Sequence, residues 1–393
     1  MKPQHINPQR IAVVTTIYRY LSHAQHMVDR FLIGYPHEGR WHRPNAEIVS
    51  LYVDQRPEGD QSEDRAREFG FKVFPTIAEA VACDVDGILL IGEHGDYPKN
   101  DMAQVLYPRY ELFKECVRVF EEQGRAVPIY NDKHLSYSFE KAREMVDDAR
   151  RLGFPLLAGS SLPVTWRLPD LELPLGCDLE DALMVGVGGS DPMDYHALEA
   201  MQCMVERRRG GEVGVRSVQL IDGDEVWRAG EDGRWSHTLL ESAFSRSDTL
   251  CGFSVDDGRP QDLLGSGEVF RLVENPSAYF IEYNDGFRAT LLMLNGAVRD
   301  YCFAAQVRGA PDPVSTQFLL TPVPNVTYSA CLVSKIEEMF TTGQAPYPAE
   351  RTLLVSGMLE SCVISRAQNH ERIETPHLRV EYTAPAESQH ARS

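Results

Sequence analysis

Short apolar runs alternate with longer helical patterns up to about residue 160, and this alternation limits the possible folds more than any other feature. The apolar runs show little polar alternation and lie at 10–15, 46–53, 72–74, 86–91, 126–130 and 155–158. Strands of this kind, separated by helices, form parallel sheets that helices cover on both faces. We therefore predict an α/β fold that begins with a Rossmann-like, doubly wound parallel sheet over residues 9–165.

The second half of the chain has a different pattern. Strand candidates follow one another at 213–221, 270–273, 277–283 and 288–294, and Asn284-Asp285-Gly286 is a typical hairpin turn. Consecutive strands with hairpin turns indicate an α+β domain with an open, mostly antiparallel sheet, which we place at 166–383. Residues 384–393 are expected to form a disordered tail.

Charge and cysteine usage exclude several classes of protein. Lysine and arginine total 39, while aspartate and glutamate total 58, which gives a formal net charge of −19. A chain this acidic repels phosphate backbones, so we expect no nucleic-acid partner. The eight cysteines show no CxxC spacing, which argues against a zinc ribbon or a disulfide framework. The sequence contains neither a membrane-length apolar run nor a signal-peptide core, so we expect a cytoplasmic protein without a membrane partner.

Several local motifs resemble those of a known family. They lie at 65–70 and 76–80, at 84–91, and at 124–127 followed by Asp132-Lys133-His134. In this order they resemble the Gfo/Idh/MocA family of sugar and polyol dehydrogenases, over most of residues 9–165 and more weakly beyond. The resemblance implies an NAD(P)-dependent oxidoreductase that acts on a sugar, polyol or related hydroxy compound bound between its two domains.

The first βα turn departs from the family pattern. The family has G-x-G-x-x-G there, and its glycines let the backbone approach the pyrophosphate at a helix N-terminus. Residues 15–23 contain no glycine, so Thr15, Thr16 and Arg19 are the remaining candidates for phosphate contacts. Asp54 follows the second strand, where an acidic residue binds ribose hydroxyls and favours NAD over NADP. A simple turn residue before Pro57 explains Asp54 equally well.

The resemblance also implies residues at the reacting end of the cofactor. It places Lys133 against the cofactor and the reacting oxygen, and it adds three positions along the cofactor, which are Glu93, His94 and Asp132. A lysine ammonium in such a place polarises a carbonyl or donates a proton. The alternative for Lys133 is an exposed loop lysine in a salt bridge.

Residues 188–196 are similar to the family segment that ends in an acid–base histidine. This similarity implies that His196 carries the hydroxyl proton while hydride leaves the carbon. Asp194 or Asp191 would orient the histidine or join the proton path. The same acids also suit a helix N-terminus, where their role would be to cap the helix.

A second group of side chains has the composition of a metal site. It lies at the predicted carboxyl edge of the sheet and consists of His94, Asp96, Asp132 and His134, with His23 and His26 nearby on one helix face. A divalent metal there would suit a non-redox lyase or hydrolase acting on a carbohydrate-like substrate. No H-E-x-x-H or comparable motif supports this alternative, so the sequence assigns no metal ligand.

Two further possibilities concern the whole chain. A ligand sensor that kept the fold and lost catalysis is a third hypothesis, because fold alone does not establish chemistry. We also expect a homodimer or homotetramer, formed through the exposed face of the second sheet.

Overall fold

The computed structural model describes residues 7–189, 191–252 and 263–392. The strands of the first half are β1 (Gln9–Thr15), β2 (Tyr35–His37), β3 (Arg40–His42), β4 (Ala46–Val53), β5 (Lys72–Phe74), β6 (Gly87–Ile91), β7 (Ile129–Asp132) and β8 (Leu156–Gly159). Within the described chain, six of them form one parallel sheet in the order β5-β4-β1-β6-β7-β8. This is the doubly wound order in which the strand sequence reverses at β1, so the predicted fold class of the first half is confirmed.

Helices connect these strands and end where the sequence places helix-ending residues. They are α1 (His23–Ile33), α2 (Ser62–Phe69), α3 (Ile77–Val81), α4 (Arg109–Gln123) and α5 (Phe139–Leu152). Gly124 and Gly153 follow α4 and α5 in left-handed conformations, with φ values of 65° and 71°. The Thr76 hydroxyl accepts a hydrogen bond from the Glu79 N–H and begins α3.

The second half forms a mixed sheet. The strands of this half are β9 (Arg167–Leu168), β10 (Leu179–Gly186), β11 (Glu212–Val213), β12 (Val215–Asp222), β13 (Ser277–Tyr283), β14 (Arg288–Met293), β15 (Tyr301–Val307), β16 (Val314–Phe318), β17 (Ile373–Glu374) and β18 (Glu381–Tyr382). Among the described residues, β11 and β18 form a separate two-stranded sheet, and the other eight strands form the mixed sheet. The sheet order is β17-β12-β13-β14-β10-β15-β16-β9. β10 and β14 pair in parallel, and the other neighbours pair antiparallel. The predicted, mostly antiparallel sheet is therefore confirmed, and the predicted turn at Gly286 joins β13 to β14.

The helices of the second half correct one strand prediction. They are α6 (Asp191–Val205), α7 (Asp224–Glu231), α8 (His237–Phe244), α9 (Glu268–Leu272), α10 (Tyr328–Thr342) and α11 (Ala349–Ala367), with short 3₁₀ turns at Leu162–Val164 and Pro376–Leu378. Residues 270–273, predicted as a strand, overlap α9 instead. Val269 and Val273 are four residues apart and both buried, so a helical turn lets them share one packed face.

Helices α10 and α11 return to the first half of the chain. Leu332, Ile336 and Phe340 of α10 belong to the hydrophobic core on one face of the first sheet. α11 packs against α5, α6 and β12, and its Thr352 hydroxyl donates to Ala158 O at 2.7 Å. The two sheets therefore share a continuous core, and the domain boundary at 165/166 stays a prediction.

One face of the second sheet is partly covered by helices of the same chain. Trp235, Leu240 and Phe244 pack with Val185 and Cys302 in a separate hydrophobic core. We expected this face to be exposed and to mediate self-association, but these helices bury part of its apolar surface. The oligomeric state stays a prediction. In the part of the chain that the structure describes, no helix is long and apolar enough to cross a lipid bilayer.

The tail was expected to be disordered, and the structure corrects this expectation up to residue 392. The His390 side chain is fully buried and bonds Asp170 at 2.6 Å. The Ala391 N–H donates to Val164 O at 2.9 Å. Arg207 donates to the carbonyl of Pro385 at 2.8 Å. Such a segment has buried contacts and satisfied backbone groups, which a local sequence pattern does not reveal.

Candidate active site

A cavity of about 380 Å³ lies at the carboxyl ends of β1, β6 and β7, against the second sheet. Its polar lining includes His23, Glu93, His94 and Lys133, from segments that follow strands of the first sheet, and His196 from α6. A smaller cavity of about 50 Å³ shares His23 and His196 and adds Asp132. Ligands of doubly wound folds bind at this edge of the sheet.

Lys133 is the first residue after β7 and points into the protein. Its backbone adopts a left-handed conformation with φ of 62°, and its N–H donates to Gly159 O at 3.0 Å. Its side chain is 4% exposed, and Nζ lies 3.3 Å from Glu93 Oε1 and 3.4 Å from Pro192 O. The expected alternative, an exposed loop lysine, does not describe this buried ammonium.

Glu93 lies between two buried cations. Its carboxylate contacts Lys133 on one oxygen and Arg109 on the other. Burial alone would raise the pKa of Glu93, but the charges of Lys133 and Arg109 outweigh burial and hold this pKa well below its usual range. The site therefore contains a fixed anion that holds Lys133 in place.

Arg109 is a site residue that the sequence analysis missed. It begins α4, is fully buried, and its Nη1 lies 3.2 Å from His134 Nε2. A cation in the first turn of a helix opposes the helix dipole, and this is the signal that marks it as unusual. Burial, followed by the Arg109 charge, holds the pKa of His134 well below its ordinary value. His134 is thus a neutral partner of Arg109.

Four histidines surround the two cavities, and one of them contacts a carboxylate. His23 Nδ1 lies 2.7 Å from Asp132 Oδ2. The His23 ring is 5.0 Å from that of His94 and 6.2 Å from that of His26, measured between centroids. Burial lowers the pKa of both His94 and His26 to about 4, and a positive charge on His23, when that ring is protonated, acts in the same direction. His94 and His26 are therefore neutral at neutral pH.

Helix α6 brings His196 to the cavity and uses its acids differently. Burial, followed by the Lys133 charge, holds the pKa of His196 well below its ordinary value. Asp194 accepts hydrogen bonds from the Gly189 N–H at 2.9 Å and the Tyr279 hydroxyl at 2.5 Å. Asp194 therefore fixes the start of the helix, as the capping alternative described, rather than lining the cavity.

Asp191 is the second acid at this helix start. Both carboxylate oxygens are buried and have no hydrogen-bond partner among the described residues. Burial raises the pKa of Asp191 to about 6, although the Arg109 charge opposes this effect. The Asp191 carboxyl therefore lies near the charges of Arg109, Glu93 and Lys133 but forms no hydrogen bond with them.

The predicted phosphate contacts are mostly occupied within the chain. Thr15 and Thr16 are fully buried; Thr15 Oγ1 lies 3.0 Å from Ile91 O, and Thr16 Oγ1 donates to Glu93 O at 2.8 Å. Arg19 is exposed in the turn before α1, and its backbone N–H donates a hydrogen bond to Ser22 Oγ at 3.1 Å. The threonine hydroxyls thus support the turn and are not displayed to a ligand.

Asp54 takes part in a set of hydrogen bonds that we call the clasp. The Tyr97 hydroxyl donates to Asp54 at 2.6 Å, and Gln55 exchanges two hydrogen bonds with the backbone of Asp96, at 2.9 and 3.0 Å. The clasp joins the end of β4 to the loop after β6, across the end of β1. It spans the part of the sheet edge where doubly wound folds bind the adenosine of a dinucleotide.

The structure does not assemble the alternative metal site. Within the described ranges, no group of three or more His, Cys, Asp or Glu side chains is placed to hold a metal ion. Asp96 is exposed at the clasp, whereas His134 is buried on Arg109. The four candidate ligands do not converge on one point, so the structure gives no support to the metal-dependent alternative.

Comparison with known proteins shows that the fold of this chain is similar to that of several solved dehydrogenases. No protein-family model matches the sequence, and no curated protein matches it. Solved structures do match. myo-Inositol dehydrogenase from Lactobacillus casei, in complex with NAD(H) and myo-inositol, has a TM-score of 0.56 at 10% identity, over 93% of this chain and 96% of its own.

Two further solved structures give the same result. A probable dehydrogenase from Thermotoga maritima has a TM-score of 0.55 at 11% identity, over 94% of this chain and 99% of its own. GenD2 from gentamicin A biosynthesis, in complex with NAD, has a TM-score of 0.54 at 13% identity, over 94% and 97%. The fold implied by the Gfo/Idh/MocA resemblance is thereby confirmed, and at these identities the likeness concerns the fold.

Proposed function

We propose that this chain is an NAD(P)-dependent oxidoreductase that acts on a sugar, polyol or related hydroxy compound. The observation that carries the proposal is the cavity between the sheets, where the Lys133 ammonium and neutral imidazoles meet at the carboxyl edge. Fold neighbours solved with NAD(H) and myo-inositol, or with NAD, support the same class of reaction. The metal-dependent alternative has no comparable support.

The residues suit a dinucleotide at its two ends better than at its centre. Asp54 stands at the end of β4, where a carboxylate accepts hydrogen bonds from ribose hydroxyls and disfavours the 2′-phosphate of NADP. Its two oxygens have lone pairs beyond those used by Tyr52 and Tyr97. The glycine-free turn keeps the backbone farther from a pyrophosphate, so the N-terminus of α1 and the exposed Arg19 are the remaining candidates for phosphate contacts. The clasp has to open for the adenosine to enter.

The chain's own groups would then bind and orient the hydroxy compound. Bound oxidised nicotinamide would supply the hydride acceptor. Lys133, held by Glu93, donates a hydrogen bond to the reacting oxygen and stabilises negative charge there. His196 is neutral and therefore able to accept the hydrogen bond of the hydroxyl. Asp194 acts indirectly, by fixing the start of the helix that carries His196.

Calorimetric titration with NAD and with NADP tests the proposal. We expect NAD to bind with a dissociation constant below about 1 mM, within the usual range for enzyme ligands, and NADP to bind more weakly. Asp54→Asn should reduce the difference between the two cofactors. Asp64→Asn, on the exposed face of α2, is the matched control and should leave both affinities unchanged. Failure of both cofactors to bind at millimolar concentration would refute the proposed function.

Partners follow from the same proposal. The substrate is a small carbohydrate-like compound, and the predicted homodimer or homotetramer is tested separately by sedimentation velocity. A single species of monomer mass would contradict self-association without affecting the catalytic proposal.

A further inference from the structure

His23 occupies an unusual place for a histidine. It is the first residue of α1, directly after the Ser22 cap, and so it stands where the family turn places its glycine-rich phosphate contact. Its ring reaches past the end of β6 to Asp132 at the end of β7, with Nδ1 2.7 Å from Oδ2. The Asp132 side chain is 2% exposed and that of His23 is 22% exposed. A buried carboxylate therefore orients a ring that remains accessible from the cavity.

The hydrogen bond decides which ring nitrogen remains available. An ionised carboxylate only accepts hydrogen bonds, so the contact with Asp132 assigns the hydrogen to Nδ1 and leaves Nε2 as the acceptor nitrogen of the neutral ring. A carboxylate that fixes the tautomer of a histidine also stabilises the imidazolium after a proton arrives. His23 lines both cavities together with His196. Among the described residues Nε2 has no hydrogen-bond partner, so the His23 ring keeps a proton acceptor beside the space proposed for the substrate.

The other histidines of the described cleft lack this arrangement. His94 Nε2, His26 Nε2 and His196 Nδ1 are buried without a hydrogen-bond partner among the described residues. Burial disfavours their charged forms. A proton released in the cavity is poorly held by any of these rings, whereas His23 has a carboxylate beside it.

We propose that His23, oriented by Asp132, is an additional acid–base residue of this cavity and holds the proton that leaves the substrate hydroxyl. This inference rests on the proposed function for the identity of the reaction. As the alcohol is oxidised, its O–H bond breaks and the proton passes to Nε2. The C–H bond breaks with its electron pair as hydride to oxidised nicotinamide, and a carbon–oxygen double bond forms. Asp132 is a positioning residue, because it acts through His23.

Nuclear magnetic resonance of ¹⁵N-histidine-labelled protein tests the orientation without any turnover. We expect His23, assigned by its loss in His23→Gln, to be the Nδ1–H tautomer at pH 8. Asp132→Ala should convert it towards the Nε2–H form, while Asp132→Asn should preserve it because the amide oxygen still accepts. The inference would be overturned if His23 is the Nε2–H tautomer in the wild type, or if its tautomer is the same in the wild type and in Asp132→Ala.

Steady-state kinetics tests the chemistry by following NADH formation with polyols. We expect His23→Gln to lower kcat by about 10²–10⁴-fold, the usual range for loss of an acid–base group, with a smaller change in KM. Asp132→Asn should lower kcat while retaining the tautomer, which separates charge from geometry. His42→Gln removes a similar pair with Glu337, 2.8 Å apart and away from the cavity, and should leave kcat unchanged.

The two measurements distinguish the two proposals. A folded wild-type protein that binds neither dinucleotide refutes the proposed function and with it the reaction assigned to His23, and the tautomer result then decides only whether Asp132 orients the His23 ring. A protein that turns over polyols with NAD but keeps its kcat in His23→Gln refutes the inference and leaves the proposed function standing. Melting temperatures of all variants confirm that the comparisons concern folded protein.

Discussion

Replacement of Glu93 by glutamine probes the charged network beneath the cavity. The Glu93 carboxylate is 4% exposed, contacts Lys133 and Arg109, and is the counter-ion of two cations that are 4% and 1% exposed. Removal of one partner of a buried ion pair leaves an uncompensated charge and typically costs about 3–5 kcal/mol. Glu93→Gln leaves two such cations facing one another, so we expect a loss in that range.

The expected change in melting temperature follows from the size of the chain. Unfolding entropy near the midpoint is about 2.1 cal/mol/K per residue, or about 0.8 kcal/mol/K for a chain of this length. A loss of 3–5 kcal/mol therefore lowers the melting temperature by about 4–6 °C, measured by differential scanning calorimetry at pH 7. Glu68→Gln is the matched control, because its carboxylate is 60% exposed and 3.5 Å from Arg65; such a surface pair contributes about 0–1 kcal/mol.

The pH dependence gives the prediction a second signature. The native pKa of Glu93 is depressed, so its stabilising effect is fully present above the unfolded-state pKa of about 4.3 and is lost as pH falls below it. The difference in melting temperature between wild type and Glu93→Gln should therefore shrink between pH 5 and pH 3. The reasoning would be refuted if Glu93→Gln and the wild type have the same melting temperature at pH 7, or if the difference between their melting temperatures increases as the pH is lowered.

Two further substitutions test buried groups by urea denaturation. Burial raises the pKa of Asp191 from 3.8 to about 6, so its charged form opposes folding increasingly as pH rises through this interval. Asp191→Asn should therefore be more stable than wild type at pH 8, by up to about 3 kcal/mol, and equally stable near pH 3; a variant less stable at both pH values would contradict this. Gly159 has φ of 134°, and a Cβ there would lie 2.2 Å from Glu199 Oε1, so Gly159→Ala should lose about 2 kcal/mol or more. Gly124→Ala, with φ of 65° and open space around the new Cβ, is its control and should lose about 1 kcal/mol; equal losses would show that the contact with Glu199 is unimportant.

Local sequence pattern predicted the first sheet well. Apolar runs and helix-ending residues report interactions within a few positions of one another, and these decide where strands and helices begin and end. The position of Lys133 after β7 and of Asp54 after β4 followed from this pattern, because the carboxyl ends of parallel strands share one edge. The strand predicted at 270–273 was wrong because packing of Val269 and Val273 outweighed the β propensity of the segment.

The partners of the site residues were beyond the reach of such patterns. Arg109 is buried on Glu93, and His23 bonds Asp132 across 109 residues of sequence. Nothing in the spacing of these residues distinguishes a paired group from a solvated one, since each partner comes from a different element. The clasp between Asp54 and Tyr97 likewise depends on how two loops meet above β1.

The order of apolar and polar residues by itself determined an α/β fold with a ligand edge at the ends of β1, β4, β6 and β7. Tertiary structure alone decided which charged groups are desolvated, that α7, α8 and α9 cover the second sheet, and that the tail packs onto the body. The physical reason is that secondary structure depends on local periodicity, whereas ion pairing and burial depend on segments that approach only when the core forms.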